Sequence, residues 1–123
     1  MGSLPLIAVV DDDESVRESL PDLLKEFGYA VRAFSSGEEF LESGCVDRTD
    51  CLILDVAMPG ITGPELQTEL KNRKEDIPII FITAHGDETT RPRLLESGAV
   101  ECLSKPFSEK ALLNALSAAF KIR

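Results

Sequence analysis

The segment Leu6-Ile7-Ala8-Val9-Val10-Asp11-Asp12-Asp13-Glu14 passes from five apolar residues to four carboxylates with no turn residue between them. A nearly continuous apolar run is the pattern of a strand covered on both faces. The acids then stand at its carboxyl end, where Asp13 suits the N-cap of a following helix. Cys51 to Leu54 and Ile77 to Ile82 are runs of the same kind and read as further central strands. Ala30-Val31-Arg32-Ala33-Phe34 and Val100-Glu101-Cys102-Leu103 carry a charge in mid-run, which a strand tolerates when one side is open to water, so these read as edges.

Helical periods fill the intervals. Val16, Leu20, Leu23, Leu24 and Phe27 draw one apolar stripe that Gly28 ends. Ser36 followed by Glu39 has the form of a capping box ahead of Phe40 and Leu41. Pro64 suits the first turn of a third helix bearing Leu66 and Leu70. Leu94 and Leu95 lie on a fourth that Gly98 should close, and Ser108 precedes a fifth with Leu112, Ala115, Leu116 and Ala119. Such alternation predicts an α/β fold: a flavodoxin-like, doubly wound, five-stranded parallel sheet of order 2-1-3-4-5 with five helices on both faces. In that order a ligand binds outside the carboxyl ends of the strands, at the switch between the first and third.

Composition limits the function classes. The 123 residues suffice for one domain, and 43% hydrophobic content excludes a disordered tail. Lys and Arg number 13 against 22 Asp and Glu, a net charge of −9, which disfavours direct contact with nucleic acid or an anionic membrane. No apolar run reaches the roughly 18 residues of a membrane span, and no signal peptide is recognisable. Cys45, Cys51 and Cys102 are an odd count without Cys-x-x-Cys spacing, so neither a disulfide framework nor a zinc site is indicated. A cytoplasmic location is expected.

The strand ends carry the chemistry. Asp11 and Asp12 follow the first strand and Asp55 follows the third, so the topology gathers carboxylates that would repel unless a cation sits among them. All the side-chain ligands are hard oxygens, which favours Mg²⁺, or Mn²⁺, over zinc. Thr83 ends the fourth strand with a hydroxyl, and Lys105 ends the fifth with an ammonium. A cation on one side and Lys105 on the other would neutralise a phosphoryl group on Asp55, which makes Asp55 the candidate nucleophile and Thr83 a donor to a phosphoryl oxygen. Singly, each residue has a plainer role: an Asp before a helix caps it, and a lone Lys is a solvated charge. Four segments meeting at one sheet edge outweigh those separate readings.

Val9-Val10-Asp11-Asp12-Asp13, Leu54-Asp55-Val56-Ala57-Met58-Pro59-Gly60, Ile82-Thr83-Ala84 and Lys105-Pro106-Phe107 together resemble the receiver domain of two-component response regulators. The resemblance covers essentially the whole chain, so residues 1–123 are expected to form a single receiver domain, any effector domain being absent from this chain. His85-Gly86-Asp87 with Gly98-Ala99-Val100 is most similar to receivers of FixJ-type transcriptional regulators. What the family implies is a phosphorelay switch rather than an enzyme, with self-catalysed phosphorylation of Asp55 and slow autodephosphorylation. It also implies Mg²⁺ held by Asp11, Asp12, Asp55 and the backbone carbonyl of Ala57, with Thr83 as switch hydroxyl and Lys105 as phosphate-binding lysine. The peptide before Pro106 would be cis, aiming Lys105 into the site. The implied partner is a histidine kinase or histidine phosphotransfer protein, with room for a homodimer on phosphorylation and no nucleic-acid or membrane contact.

Three residues depart from the family pattern or strain it. Cys102 stands where the family often has an aromatic switch residue, and as a small buried hydrophobe it rules out gating by a ring. Pro92 falls in the fourth helix, where an interior proline costs about 3 kcal/mol, so that helix should be short, kinked or mobile. Pro21 poses the same problem in the first. His85, the sole histidine, reads as an exposed loop residue. A phosphatase of the haloacid-dehalogenase type is a rival, but it needs an acid two residues after its nucleophile, where this chain has Ala57. A flavodoxin-like electron carrier is the other, but the acidic loop after the first strand would repel a flavin phosphate.

Overall fold

The alternation of apolar runs and helical stripes resolves into β1 (Leu6–Val10), α1 (Glu14–Glu26), β2 (Ala30–Phe34), α2 (Gly37–Glu42), β3 (Cys51–Asp55), α3 (Gly63–Asn72), β4 (Ile79–Thr83), α4 (Thr90–Glu96), β5 (Glu101–Ser104) and α5 (Glu109–Lys121). A 3₁₀ turn at Val46–Arg48, for which the sequence carries no strong signal, precedes β3. The computed structural model describes residues 4–84 and 90–121. The sheet is parallel throughout and ordered β2-β1-β3-β4-β5, as the charged edges and apolar centres predict.

Strand pleating divides the core into two layers. Ile7, Val9, Cys51, Ile53, Ile80 and Ile82 face one way and pack with Leu20 and Leu24 of α1 and with Leu112, Ala115, Leu116 and Ala119 of α5. Ala8, Val10, Leu52, Leu54 and Phe81 face the other way, against Phe40 of α2, Leu66 and Leu70 of α3 and Leu94 of α4. Each central strand is therefore apolar on both sides, the physical reason its sequence reads as a run rather than an alternation.

Helix ends follow local chemistry. Asp13 Oδ1 accepts from the backbone N–H of Ser15 at 2.9 Å and caps α1, and Ser108 Oγ accepts from Ala111 N–H at 3.0 Å ahead of α5. Gly28 and Gly98 adopt φ of 98° and 105°, and Tyr29 N–H bonds back to Leu24 O, as Ala99 N–H does to Leu94 O, closing α1 and α4. Ser36 Oγ accepts from Glu39 N–H, but the Glu39 carboxylate returns to Ser35 N–H rather than to Ser36, so the reciprocal box expected there is displaced by one residue. A complete box forms instead at Thr62 and Glu65, opening α3.

The departures from expectation are local. β4 begins at Ile79 rather than Ile77 because Pro78 has no N–H for the ladder, although its carbonyl accepts from Leu52 N–H at 2.9 Å. β3 extends to Asp55, one residue beyond its apolar run, and β5 runs Glu101–Ser104 rather than from Val100. The described part of α4 is seven residues and contains Pro92. α1 continues through Pro21 without interruption.

Candidate functional site

The carboxyl ends of β1, β3, β4 and β5 converge on one edge of the sheet. Asp11 extends the row of Ile7 and Val9 one step past β1, and Asp55 ends the row of Cys51 and Ile53, so both carboxylates lie toward the α1 and α5 side. Asp11, Asp12 and Asp55 each bring a carboxylate oxygen within 4.8 Å of the other two. Asp11 is fully buried and Asp55 only 6% exposed, whereas Asp12 is exposed and forms the open side.

Asp11 is held by its neighbours. Its N–H donates to Phe34 O, its Oδ1 accepts from Asp13 N–H at 2.9 Å, and its carbonyl accepts from the Arg17 guanidinium at 2.9 Å. Lys105 Nζ stands 2.8 Å from Asp11 Oδ2 and 3.9 Å from Asp55 Oδ2. Among the described residues Asp11 Oδ2 nonetheless has no directed hydrogen bond. A buried carboxylate oxygen balanced by charge alone, with two more carboxylates beside it, is a donor set suited to a hard divalent cation. The Lys105–Pro106 peptide is cis, and Lys105 N–H donates to Thr83 O at 2.8 Å, joining the ends of β4 and β5. Thr83 is buried at that junction.

The electrostatics follow from this crowding. Burial first, then the charge of Asp11 and hydrogen bonds that the protonated Asp55 donates to Asp11 and Asp12, push Asp55 up to about 7 against the opposing pull of Lys105. Burial alone would lower Lys105, but the close contact with Asp11 and its charge, with Asp55 and Asp13 behind them, outweigh it and hold the ammonium above its ordinary range. Asp13, spent on its Ser15 cap, sits below the usual carboxylate range and stands outside the cluster.

The structure thus brings together Asp11, Asp12, Asp55 and Lys105, with Thr83 at the adjoining strand end and Ala57 exposed on the loop after β3. His85 lies outside the described residues. Cys102 is buried beside Leu94 and Ala99, and burial followed by the charge of Glu101 raises its thiol, so it packs as an inert apolar group. Sequence reasoning missed Arg17, whose one signal was a cation in the first turns of a helix led by acids, and Glu38, taken up below.

A family model for the response regulator receiver domain matches residues 7–117. Nodulation protein W of Bradyrhizobium diazoefficiens is 48% identical over 114 residues, which cover 93% of this chain and 50% of that protein. Transcriptional regulatory protein FixJ of Azorhizobium caulinodans is 41% identical over 116 residues, 94% of this chain and 54% of that protein. Among solved structures, the response regulator StyR superposes with a TM-score of 0.88 at 45% identity, covering 98% of this chain and 61% of that one. FixJ-N superposes with a TM-score of 0.84 at 34% identity, covering 98% and 96%. The chain belongs to the response regulator receiver domain family.

It spans about half the length of the two relatives matched by sequence. The family match sets aside the phosphatase and electron-carrier alternatives, in keeping with Ala57 where the former needs an acid and four acids where the latter needs a phosphate cradle. Among the described residues no helix is long and apolar enough to cross a membrane.

Proposed function

We propose that this chain is a single receiver domain in which Asp55 is the phosphoacceptor of a two-component phosphorelay. The donor is the phosphohistidine of a histidine kinase or histidine phosphotransfer protein. A carboxylate oxygen of Asp55 attacks the phosphorus in line, a P–O bond forms as the P–N bond breaks, and the imidazole leaves with the electron pair and takes up a proton. The product is an acyl phosphate, which water later hydrolyses slowly to restore the carboxylate. The observation that carries the reading is the meeting of three carboxylates within 4.8 Å with Lys105 between two of them.

Asp11, Asp12, Asp55 and the Ala57 carbonyl would hold Mg²⁺, or Mn²⁺ in its place. When bound, the dication screens the attacking carboxylate from the phosphoryl oxygens. Lys105 supplies the positive charge that a phosphoryl group on Asp55 requires, and Thr83 donates its hydroxyl to a phosphoryl oxygen. A groove of about 520 Å³ bordered by Asp13, Val16, Leu23, Lys105 and Phe107 offers a donor protein room beside the site.

Moving a switch from 1:99 to 99:1 takes about 5.5 kcal/mol. New charge-assisted bonds from Lys105 and Thr83, each worth roughly 1.5 to 3 kcal/mol, are of the right order to shift the face between β4 and α5. That face then serves a partner or a second phosphorylated copy. Mass spectrometry after incubation with Mg²⁺ and acetyl phosphate tests the reading: one hydroxylamine-labile phosphoryl group should appear on Asp55 and be absent from Asp55→Asn and from EDTA-treated protein. Undiminished labelling of Asp55→Asn would refute the assignment.

A further inference from the structure

We propose that Glu38, on α2, is a positioning residue for the cation site, acting by clamping the loop that carries Ala57. The inference rests on the reading that the Ala57 carbonyl belongs to the metal shell. The loop from Val56 to Thr62 is fastened at its base, where Val56 N–H donates to Ile82 O at 3.0 Å and Gly63 N–H donates to Val56 O at 3.0 Å. Thr62 and Glu65 cap its exit into α3, and Met58 is buried in the core. The tip at Gly60 and Ile61 is held from elsewhere in the chain, by Glu38 Oε2, which accepts from Ile61 N–H at 3.1 Å across 23 residues of sequence.

Two further observations show how closely the tip is built around that carboxylate. Gly60 has φ of 75°, and a Cβ there would lie 2.7 Å from Glu38 Oε2 and 3.3 Å from Oε1, so the carboxylate lies flat against the glycine. One residue earlier on α2, a Cβ at Gly37 would overlap Cγ2 of Ile61, so the first turn of α2 grips both the side chain and the amide of Ile61. Successive glutamates divide the work: Glu39 turns back to Ser35 N–H, and Glu38 reaches across to the loop. Ala57 is exposed and has no side chain long enough to anchor itself, so its carbonyl direction depends on the fastenings on either side. Glu38 supplies the hydrogen bond that holds the tip from outside the loop and its helix.

The test compares Glu38→Ala with Glu38→Gln, which keeps an acceptor oxygen but loses the charge. Glu38 is exposed, so neither change disturbs the core. Mn²⁺ affinity by water-proton relaxation and exchange of the Ile61 amide by NMR are the readouts. Glu38→Ala should weaken Mn²⁺ binding by about threefold to tenfold, the range set by one net hydrogen bond, and speed Ile61 exchange, with Glu38→Gln restoring both. Glu38→Gln as weak as Glu38→Ala would overturn the inference, since a general loss of negative charge would then explain the effect. Glu38→Ala with wild-type affinity would overturn it too, leaving the acidic site intact as a reading. Wild-type protein that binds no Mn²⁺ would overturn both.

Discussion

Lys105 Nζ lies 2.8 Å from Asp11 Oδ2 but 3.9 Å from Asp55 Oδ2, so the ammonium is paired more closely with the deepest carboxylate than with Asp55. The same oxygen cannot fully serve an ammonium and a dication. A dication held by Asp11, Asp12 and Asp55 would therefore compete with Lys105 for Asp11 Oδ2. Lys105 in this arrangement is the counter-ion of Asp11.

Lys105→Met should consequently change stability and metal affinity in opposite directions. In EDTA, removing one partner of this largely buried pair should cost on the order of 3 kcal/mol, read by urea unfolding. Saturating Mg²⁺ should recover more stability in the variant than in the wild type, because no ammonium competes for Asp11 Oδ2. A variant that Mg²⁺ stabilises less than it does the wild type would contradict the competition.

Asp55 gives a pH dependence whose sign is opposite to that of an ordinary surface carboxylate. Its folded value of about 7 lies above the ordinary 3.8, so between those values the folded chain retains a proton that the unfolded chain has released. Stability from this group is present at low pH and falls as pH rises through about 7. Lys105, raised above 10.5, contributes no slope in that window. In EDTA the thermal midpoint should fall between about pH 5 and about pH 8 more steeply in the wild type than in Asp55→Asn, and Mg²⁺ should flatten the wild-type slope. Parallel slopes for the two proteins in EDTA would remove Asp55 as the cause.

Gly63 is a third point of sensitivity, for steric rather than electrostatic reasons. A Cβ there would overlap the backbone oxygen of Asp55 and lie 3.0 Å from both Phe81 Cε1 and Val56 Cα. Gly63→Ala should destabilise the fold by about 1 to 3 kcal/mol, as overpacking does, and slow phosphorylation by shifting the strand end that bears Asp55. The urea midpoint and the acetyl phosphate labelling rate measure the two effects separately.

Much of this was legible in the chain. The apolar runs of β1, β3 and β4 announced strands buried on both faces, and the charges in β2 and β5 marked the edges, because burial acts residue by residue along each segment. Caps at Asp13 and Ser108 and stops at Gly28 and Gly98 were equally local. Local reading failed where neighbouring groups compete: the spacing offered Glu39 the N–H of Ser36, and in the fold its carboxylate takes that of Ser35.

By itself, the sequence determined the topology and the membership of the site, since a parallel sheet with right-handed crossovers must carry Asp11, Asp55, Thr83 and Lys105 to one edge. Pairings within that edge were decided by tertiary structure. That Lys105 takes Asp11 ahead of Asp55, that Arg17 fastens the Asp11 carbonyl, and that Glu38 closes on Ile61 depend on distances of a few ångströms between segments remote along the chain. Such distances depend on how two core layers pack against a twisted sheet, a property of all the side chains at once and of no single stretch.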